Sequence, residues 1–382
     1  MKELEKARKE INEADREIAK QFAARMRAVR DVAEYKTAHG LPITDAAREA
    51  EVIARGAALV EDDEIREYYV NFLKYTMELS KQYQHRLMRG VRVAYSGVEG
   101  AFAHIAATRI FPDGEHVSYG GFLAAYNAVV DGECDVAVLP IENSYAGEVG
   151  QVMDLMFGGS LYVSGVYSLR IAHNLLGVPG ARIEDVKKVI SHPQALDQCA
   201  GYIRRHGFDE ERAVNTAMAA QTVASLGDKS TAAIASAETA ALYGLSVLDH
   251  DINESAVNTT RFAVFSRVEN ESRRGENNNF MLLFTVKNVS GALAKAIDVI
   301  GKYGFNMKVL RSRPMKELAW QYYFYVEAEG DESSEKGRAM LDELSRHCDM
   351  LKVVGTYSDE TKLKYREEKT NDDPNRSRKG QL

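Results

Sequence analysis

Three cations stand where a helix should present apolar side chains. From Lys2 to His39 the chain has no Gly or Pro, and alternate steps of four and three residues pick out Leu4, Arg8, Ile11, Asp15, Ile18, Phe22, Arg25, Val29, Val32 and Lys36. That ladder is the seam of a long amphipathic helix. A charge on a buried seam is costly unless a counterion faces it. At about 1.5 Å per residue, Arg25 and Lys36 lie roughly 16 Å apart and could close on one small dianion, whereas Arg8, roughly 25 Å from Arg25, could not join them from the same helix. An anion site using all three takes Arg8 from another copy of the chain, which predicts an intertwined helical dimer. The same charges also fit a structural role, their stems laid along the seam and their heads paired with Asp15 and other carboxylates.

Other polar groups sit where they could converge on that seam. Asp45, Arg48 and Glu49 stand at i, i+3 and i+4 near a helix start, and Ser80 and Gln84 stand at i, i+4. A second set lies at the ends of apolar runs further on: Glu142, Asn143, Ser191, His192, Gln198, Thr259, Thr260 and Arg261. Hydroxyls and amides gathered at strand ends can bind a small polar ligand and hand a proton to a leaving group. Each also has a plainer reading, His192 before Pro193 as a structural histidine and Asn143 as a loop cap.

The elements that must position these groups fall into three blocks and a tail. Gly40 and Pro42 end the first helix, Thr44 or Asp45 can cap a second through about Leu59, and Asp62 and Asp63 restart a third, so residues 1–89 read as three helices. Residues 91–268 alternate short apolar runs with helices. "VRVAY" at Val91 to Tyr95, "DVAVLPIENSYAG" at Asp135 to Gly147, "KKVISHPQALDQC" at Lys187 to Cys199, "TAAIAS" at Thr231 to Ser236 and "TRFAVFS" at Thr260 to Ser266 mark an α/β layer. Gly97 and Gly100 make a turn there, not a dinucleotide fingerprint. Asn270 to Asn279 reads as a linker. Residues 279–357 then give strand, helix, two strands, helix and strand, a ferredoxin-like βαββαβ order. "GALA" at Gly291 to Ala294 opens the first helix of that block, where free backbone N–H groups can take a carboxylate. Residues 358–382 are charged and read as a disordered tail.

Composition sets outer limits. With 382 residues, 45% of them hydrophobic, the chain can bury two or three cores. A net charge of −7 argues against nucleic acid as the main partner while leaving room for a local cationic pocket. Cys134, Cys199 and Cys348 are odd in number and far apart, as in a reducing compartment. No secretory leader or membrane-spanning run is visible, which predicts a cytoplasmic location with no membrane partner.

The set Arg8, Arg25, Lys36, Asp45, Arg48, Glu49, Ser80 and Gln84 resembles, in order and spacing, the active site of the all-helical chorismate mutase family. The resemblance implies that Arg8 comes from the partner chain and holds the substrate carboxylates with Arg25. Lys36 and Gln84 then bond the ether oxygen, and Arg48, Glu49, Asp45 and Ser80 position the ring hydroxyl and a carboxylate. Such a pericyclic rearrangement needs only a folded-up substrate and donors aimed at developing charge. "PIENSYAG", "SHPQALDQC" and the "TRF" of Thr260, Arg261 and Phe262 are similar to the hallmarks of the prephenate dehydratase family. This likeness implies two α/β lobes, as in periplasmic binding proteins, with Thr260, Asn143 and Gln198 acting on the substrate and Glu142, Ser191, Arg261 and Phe262 binding it.

The last block resembles an ACT regulatory domain, implying an L-phenylalanine site at Gly291, Ala292, Leu293, Ala294, Arg311 and Ser312. It departs from the family in placing Arg311 before Ser312, Arg313 and Pro314, where Glu is frequent. Together the resemblances imply an α plus α/β plus α+β multidomain enzyme that takes chorismate to prephenate and on to phenylpyruvate, with no metal or organic cofactor, as a homodimer or tetramer. A dehydratase preferring arogenate and a non-catalytic bilobal sensor are the rival readings.

Overall fold

A computed structural model describes residues 2–255, 257–269, 278–316, 318, 320–358 and 361–363. It opens with α1 (Lys2–His39), α2 (Ala46–Ala57) and α3 (Asp63–Arg89). Gly40, at φ +63°, ends α1 in the left-handed region. The Asp45 carboxylate caps α2 by accepting the Arg48 N–H at 3.0 Å, and Asp62 caps α3 by accepting the Glu64 N–H at 2.8 Å. The carboxyl-terminal half of α1 packs on α3 and buries Ala33, Thr76, Met77, Ser80 and Gln84. The amino-terminal half stands clear: Leu4, Ile11 and Ile18 are each more than half exposed in the single chain.

The middle of the chain runs β1 (Arg92–Ser96), α4 (Phe102–Ile110), β2 (Glu115–Tyr119), α5 (Phe122–Val130), β3 (Val136–Asn143), β4 (Gly147–Glu148), α6 (Gly150–Gly158) and β5 (Tyr162–Arg170). It crosses into β6 (Asn174–Gly177), β7 (Lys188–Ser191), α7 (Pro193–Gln198), α8 (Ala200–His206), β8 (Asp209–Arg212), α9 (Thr216–Leu226), β9 (Thr231–Ala235), α10 (Ala237–Tyr243) and β10 (Ser246–Asp249), and returns as β11 (Thr259–Ser266). Two lobes result. In the first, β1, β2 and β3 are parallel, while β11 lies antiparallel between β3 and β5. In the second the order is β10-β6-β9-β7-β8. The chain crosses between the lobes twice, after β5 and before β11, and a cleft opens at those crossings.

The remaining elements are β12 (Asn278–Thr285), α11 (Ala292–Lys302), β13 (Met307–Pro314), β14 (Tyr322–Glu329), α12 (Glu335–Ser345), β15 (Met350–Ser358) and β16 (Thr361–Leu363). β12 to β15 form an antiparallel sheet ordered β13-β14-β12-β15. Phe280, Leu282, Phe284 and Val326 pack on α11 and α12, while Met281, Leu283, Tyr323, Tyr325, Val354 and Tyr357 share one core with Leu139, Ile141, Met153 and Val163 of the first lobe. Both faces of this sheet are therefore covered.

Two boundaries read from the sequence need correction. Asn278 and Asn279 are buried strand residues rather than linker, while residues 270–277 lie outside the described residues. The tail assigned to 358–382 contributes Ser358 to β15, and Thr361–Leu363 pairs parallel with β5 at the edge of the first lobe's sheet; 359–360 and 364–382 are outside the described residues. Backbone pairing needs no apolar side chain, so a charged composition did not preclude it.

Candidate active sites

On the helical unit, Arg25 reaches across to α3. Its guanidinium donates to the Ser80 hydroxyl and, at 3.3 Å, to the Thr76 carbonyl, and Ser80 donates in turn to the Thr76 carbonyl at 2.8 Å. Burial lowers the Arg25 pKa below the ordinary arginine value. Lys36 donates to the Ile43 carbonyl at 2.6 Å. Among the described residues neither cation meets a carboxylate; the ion pairs along α1 are Lys6–Glu10, Lys9–Glu13 and Lys20–Glu17, off the seam. The reading of these charges as partners of Asp15 therefore fails. Gln84, buried one turn beyond Ser80, bonds the Ser80 carbonyl at 3.4 Å, and its side-chain oxygen has no partner among the described residues.

Glu49 lies 3.5 Å from Lys81, a cation the sequence reading overlooked. Asp45 is spent as the α2 cap, and Arg48 turns outward to Glu51 at 2.6 Å. Arg8 is exposed, far along the free half of α1.

The cleft between the lobes encloses about 380 Å³. Its walls are Phe102, Phe122, Ile171, Val214 and Phe262, with Asn143, His173, His192, Gln198, Asn215, Thr216 and Thr260 among them. One hydrogen-bond chain orders the polar groups. The Asn143 side-chain oxygen accepts the N–H groups of Tyr145 at 3.0 Å and Ala146 at 2.9 Å, so its amide nitrogen must face the other way. That nitrogen donates to Thr260 Oγ1 at 2.9 Å and to Asn258 Oδ1 at 2.9 Å. Asn258 donates onward to Gln198 Oε1 at 2.9 Å, and His173 Nε2 approaches the same oxygen at 2.8 Å.

Direction follows from this chain. Thr260 accepts from Asn143, leaving its own hydroxyl proton to be donated. Gln198 accepts twice, and its buried amide nitrogen has no partner among the described residues. Burial lowers the His173 pKa, so the ring is neutral with the proton on Nε2. His192 is also held low by burial, and its Nδ1 accepts the Gln194 N–H at 3.3 Å. Among the described residues no Asp, Glu, Lys or Arg lines the cleft. Favourable charge for an anionic ligand comes instead from helix starts, since α4, α5 and α9 begin at lining residues.

The expected site residues divide here. Thr260, Asn143, Gln198 and Phe262 line the cleft. Glu142, Arg261 and Ser191 do not, which corrects their assignment as substrate ligands. A strand alternates its faces, so Glu142 and Arg261 point away from the cleft and pair with each other at 3.0 Å. Ser191 is fully buried, its hydroxyl donating to the Ile234 carbonyl at 2.6 Å between two strands. His173, Asn258, Asn215 and Thr216 were missed, for they join the site only through the crossing segments and the start of α9.

Arg311 also needs correction. It pairs with Glu142 and Glu148 of the first lobe rather than facing the start of α11. Ser312, the next residue on β13, points to the opposite side and is exposed. Gly291 (φ +81°) precedes α11, Ala294 is exposed, and Ala292 and Leu293 are half-buried.

A bilobal cleft holding a neutral proton donor, joined to a helical unit that keeps partly buried cations free of carboxylates, defines a multidomain enzyme for small anions. Comparison with known proteins makes this specific. Residues 93–270 match the prephenate dehydratase family and residues 7–85 the chorismate mutase type II family. Over 368 residues, 94% of this chain and 98% of the relative, the sequence is 30% identical to the bifunctional chorismate mutase/prephenate dehydratase of Aquifex aeolicus. It is 34% identical over 281 residues to arogenate dehydratase/prephenate dehydratase 1 of Arabidopsis thaliana, covering 70% of this chain and 72% of that one. A crystal structure of prephenate dehydratase in complex with L-Phe, from Arthrobacter aurescens, superposes with a TM-score of 0.65 at 26% identity, covering 70% and 90% of the two chains. The chain belongs to the family of bifunctional chorismate mutase/prephenate dehydratases.

Proposed function

We infer that the helical unit rearranges chorismate to prephenate and that the bilobal unit decarboxylates and dehydrates prephenate to phenylpyruvate. The observation that carries the second step is the direction of the Asn143–Thr260 bond, which leaves the Thr260 hydroxyl free to protonate the departing hydroxyl. Loss of carbon dioxide and, with the proton from Thr260, of water yields an aromatic ring, and Thr260 regains its proton from solvent; the reaction itself supplies most of the driving force. A neutral donor and a largely apolar cleft that favours loss of the carboxylate are sufficient. For the first step the support is that Arg25 and Lys36 are left with neutral oxygens, their charges available to a dianion beside Ser80 and Gln84. Chorismate supplied alone should give phenylpyruvate in a coupled assay; binding without turnover would leave only a sensor.

Prephenate is preferred over arogenate in this reading, because among the described residues no carboxylate lines the cleft to meet an ammonium group. Turnover on the two substrates compares them directly.

The remaining assignments are proposals of the same reading. The mutase site is completed by Arg8 of a second copy, making a homodimer that can pair again into a tetramer. The carboxyl-terminal sheet is a ferredoxin-like ACT domain that takes L-phenylalanine near Gly291 to Ala294 and Ser312, supported by the related dehydratase solved with L-Phe. Calorimetry with phenylalanine tests it, and absence of both heat and inhibition would rule it out. Among the described residues no helix is long and apolar enough to cross a membrane, and a cytoplasmic location is proposed.

A further inference from the structure

β3 and β11 carry the cleft on one face and the carboxyl-terminal sheet on the other. Thr260 pairs with Asn143 and Arg261 with Glu142 across these strands, so two residues that face the ligand have immediate neighbours facing backward. The ladder between the strands is irregular there, shifting register between Arg261 and Phe262 where Phe262 meets Pro140, which has no N–H to donate. On the β3 side the pairing resumes only past this shift, through Arg261–Glu142 and Thr260–Asn143, so the end that holds Thr260 is joined to the rest of the ladder across an irregularity.

Side chains tie that end down. The Arg261 guanidinium bonds both oxygens of Glu327 on β14, at 3.0 and 2.8 Å, and the Tyr357 hydroxyl on β15 at 3.3 Å. Glu327, only 2% exposed, also accepts from Tyr325 at 2.5 Å and Tyr357 at 2.8 Å. A buried, fully bonded carboxylate gripping one guanidinium at two points fixes position as well as charge. Around it Arg311 meets Glu142, and Arg313 meets Glu148 at 2.5 Å and Asp154 at 3.3 Å.

We propose that Arg261, gripped by Glu327, is a positioning residue for dehydration: it holds the strand of Thr260 against Asn143 from behind, so the height of the Thr260 hydroxyl in the cleft depends on the docked carboxyl-terminal sheet. The proposal rests on the reading of Thr260 as the proton donor. It gives Arg261 a role without substrate contact, and it makes the carboxyl-terminal sheet a structural part of the dehydratase site.

The full-length protein tests it through Glu327→Gln, Arg261→Lys and the gentler Tyr357→Phe, which removes one hydroxyl and little volume. Each is assayed with prephenate, with the melting midpoint and the mutase rate checking the fold. A small displacement of a reacting group costs about tenfold to a hundredfold in rate, so kcat for dehydration falls by that range in Glu327→Gln and by less in Tyr357→Phe. KM stays within about twofold of the parent, as for an interaction felt only in the transition state. Arg261→Lys retains part of the rate because one bond to Glu327 survives. Unchanged kcat in all three, or raised KM at unchanged kcat, overturns the proposal. Failure of the unmodified protein to turn over prephenate would instead overturn the dehydratase reading itself.

Discussion

At the scale of single residues, hydrogen-bond direction rather than formal charge orders the cleft between the lobes. Two backbone N–H groups orient Asn143, and Asn143 orients Thr260. Replacing Thr260 with Val keeps the shape and removes the donor, so dehydration should fall by about a hundredfold or more, while the mutase rate from the same chain stays unchanged. Separate assays on prephenate and chorismate measure this, and joint loss in a folded variant would refute separate sites. In the helical unit Gln84, the expected partner of the ether oxygen, does not titrate, so the mutase rate should be flat between about pH 5.5 and 7.5. A steep fall across that range in a pH–rate profile would transfer the role to a titrating group. The sequence named Glu142 beside Asn143 and Arg261 beside Thr260 as if all faced one ligand. Strand alternation separates them, and only the pairing of β3 with β11 shows which parity meets the cleft.

Among the elements, those with strong local signals were legible in advance. The three amino-terminal helices follow their caps and breakers closely, with Asp45, Asp62 and Gly40 each acting where the sequence puts them. The continuous apolar run of β12 follows from its two covered faces, one against α11 and α12 and the other against the first lobe. β16 was not legible, since three residues without an apolar pattern become a strand only because the distant β5 offers an open edge. β15 crosses β5 so closely that a Cβ at Gly355 would fall within the contact distance of the Val163 backbone. Gly355→Ala should therefore cost about 1–3 kcal/mol, seen as a lower denaturation midpoint. An unchanged midpoint would mean the two sheets can part without loss.

For the whole molecule, the carboxyl-terminal sheet and the first lobe share one core, and their polar seam makes that union sensitive to acid. Burial alone would raise the Glu327 pKa, but its bonds to Arg261, then to Tyr325 and Tyr357, outweigh it and hold the carboxyl below the ordinary glutamate value. A depressed carboxylate stabilises the fold above its ordinary pKa, and that contribution is lost as pH falls through the folded value. Acid should thus loosen this seam, and Glu327→Gln should flatten the acid limb of a stability–pH curve. An unaltered limb would assign the acid response elsewhere. If Arg8 completes a neighbour's mutase site, Arg8→Ala and Arg25→Ala variants, each inactive alone, should recover about a quarter of the sites after subunit exchange, half the dimers being mixed with one intact site apiece. No recovery would place Arg8 outside the site. The sequence by itself determined the three helices, the alternating α/β pattern, the βαββαβ order and the cleft residues Asn143, Gln198 and Thr260, because periodicity, caps and local motifs are written in neighbouring residues. Only the tertiary structure decided that Glu142 and Arg261 face the carboxyl-terminal sheet and Arg311 the first lobe, that His173 and Asn258 complete the hydrogen-bond chain of the cleft, and that residues beyond the last long strand return to the first lobe. Those facts depend on strand pairing and lobe packing between segments far apart in the chain, where spacing along the sequence carries no distance.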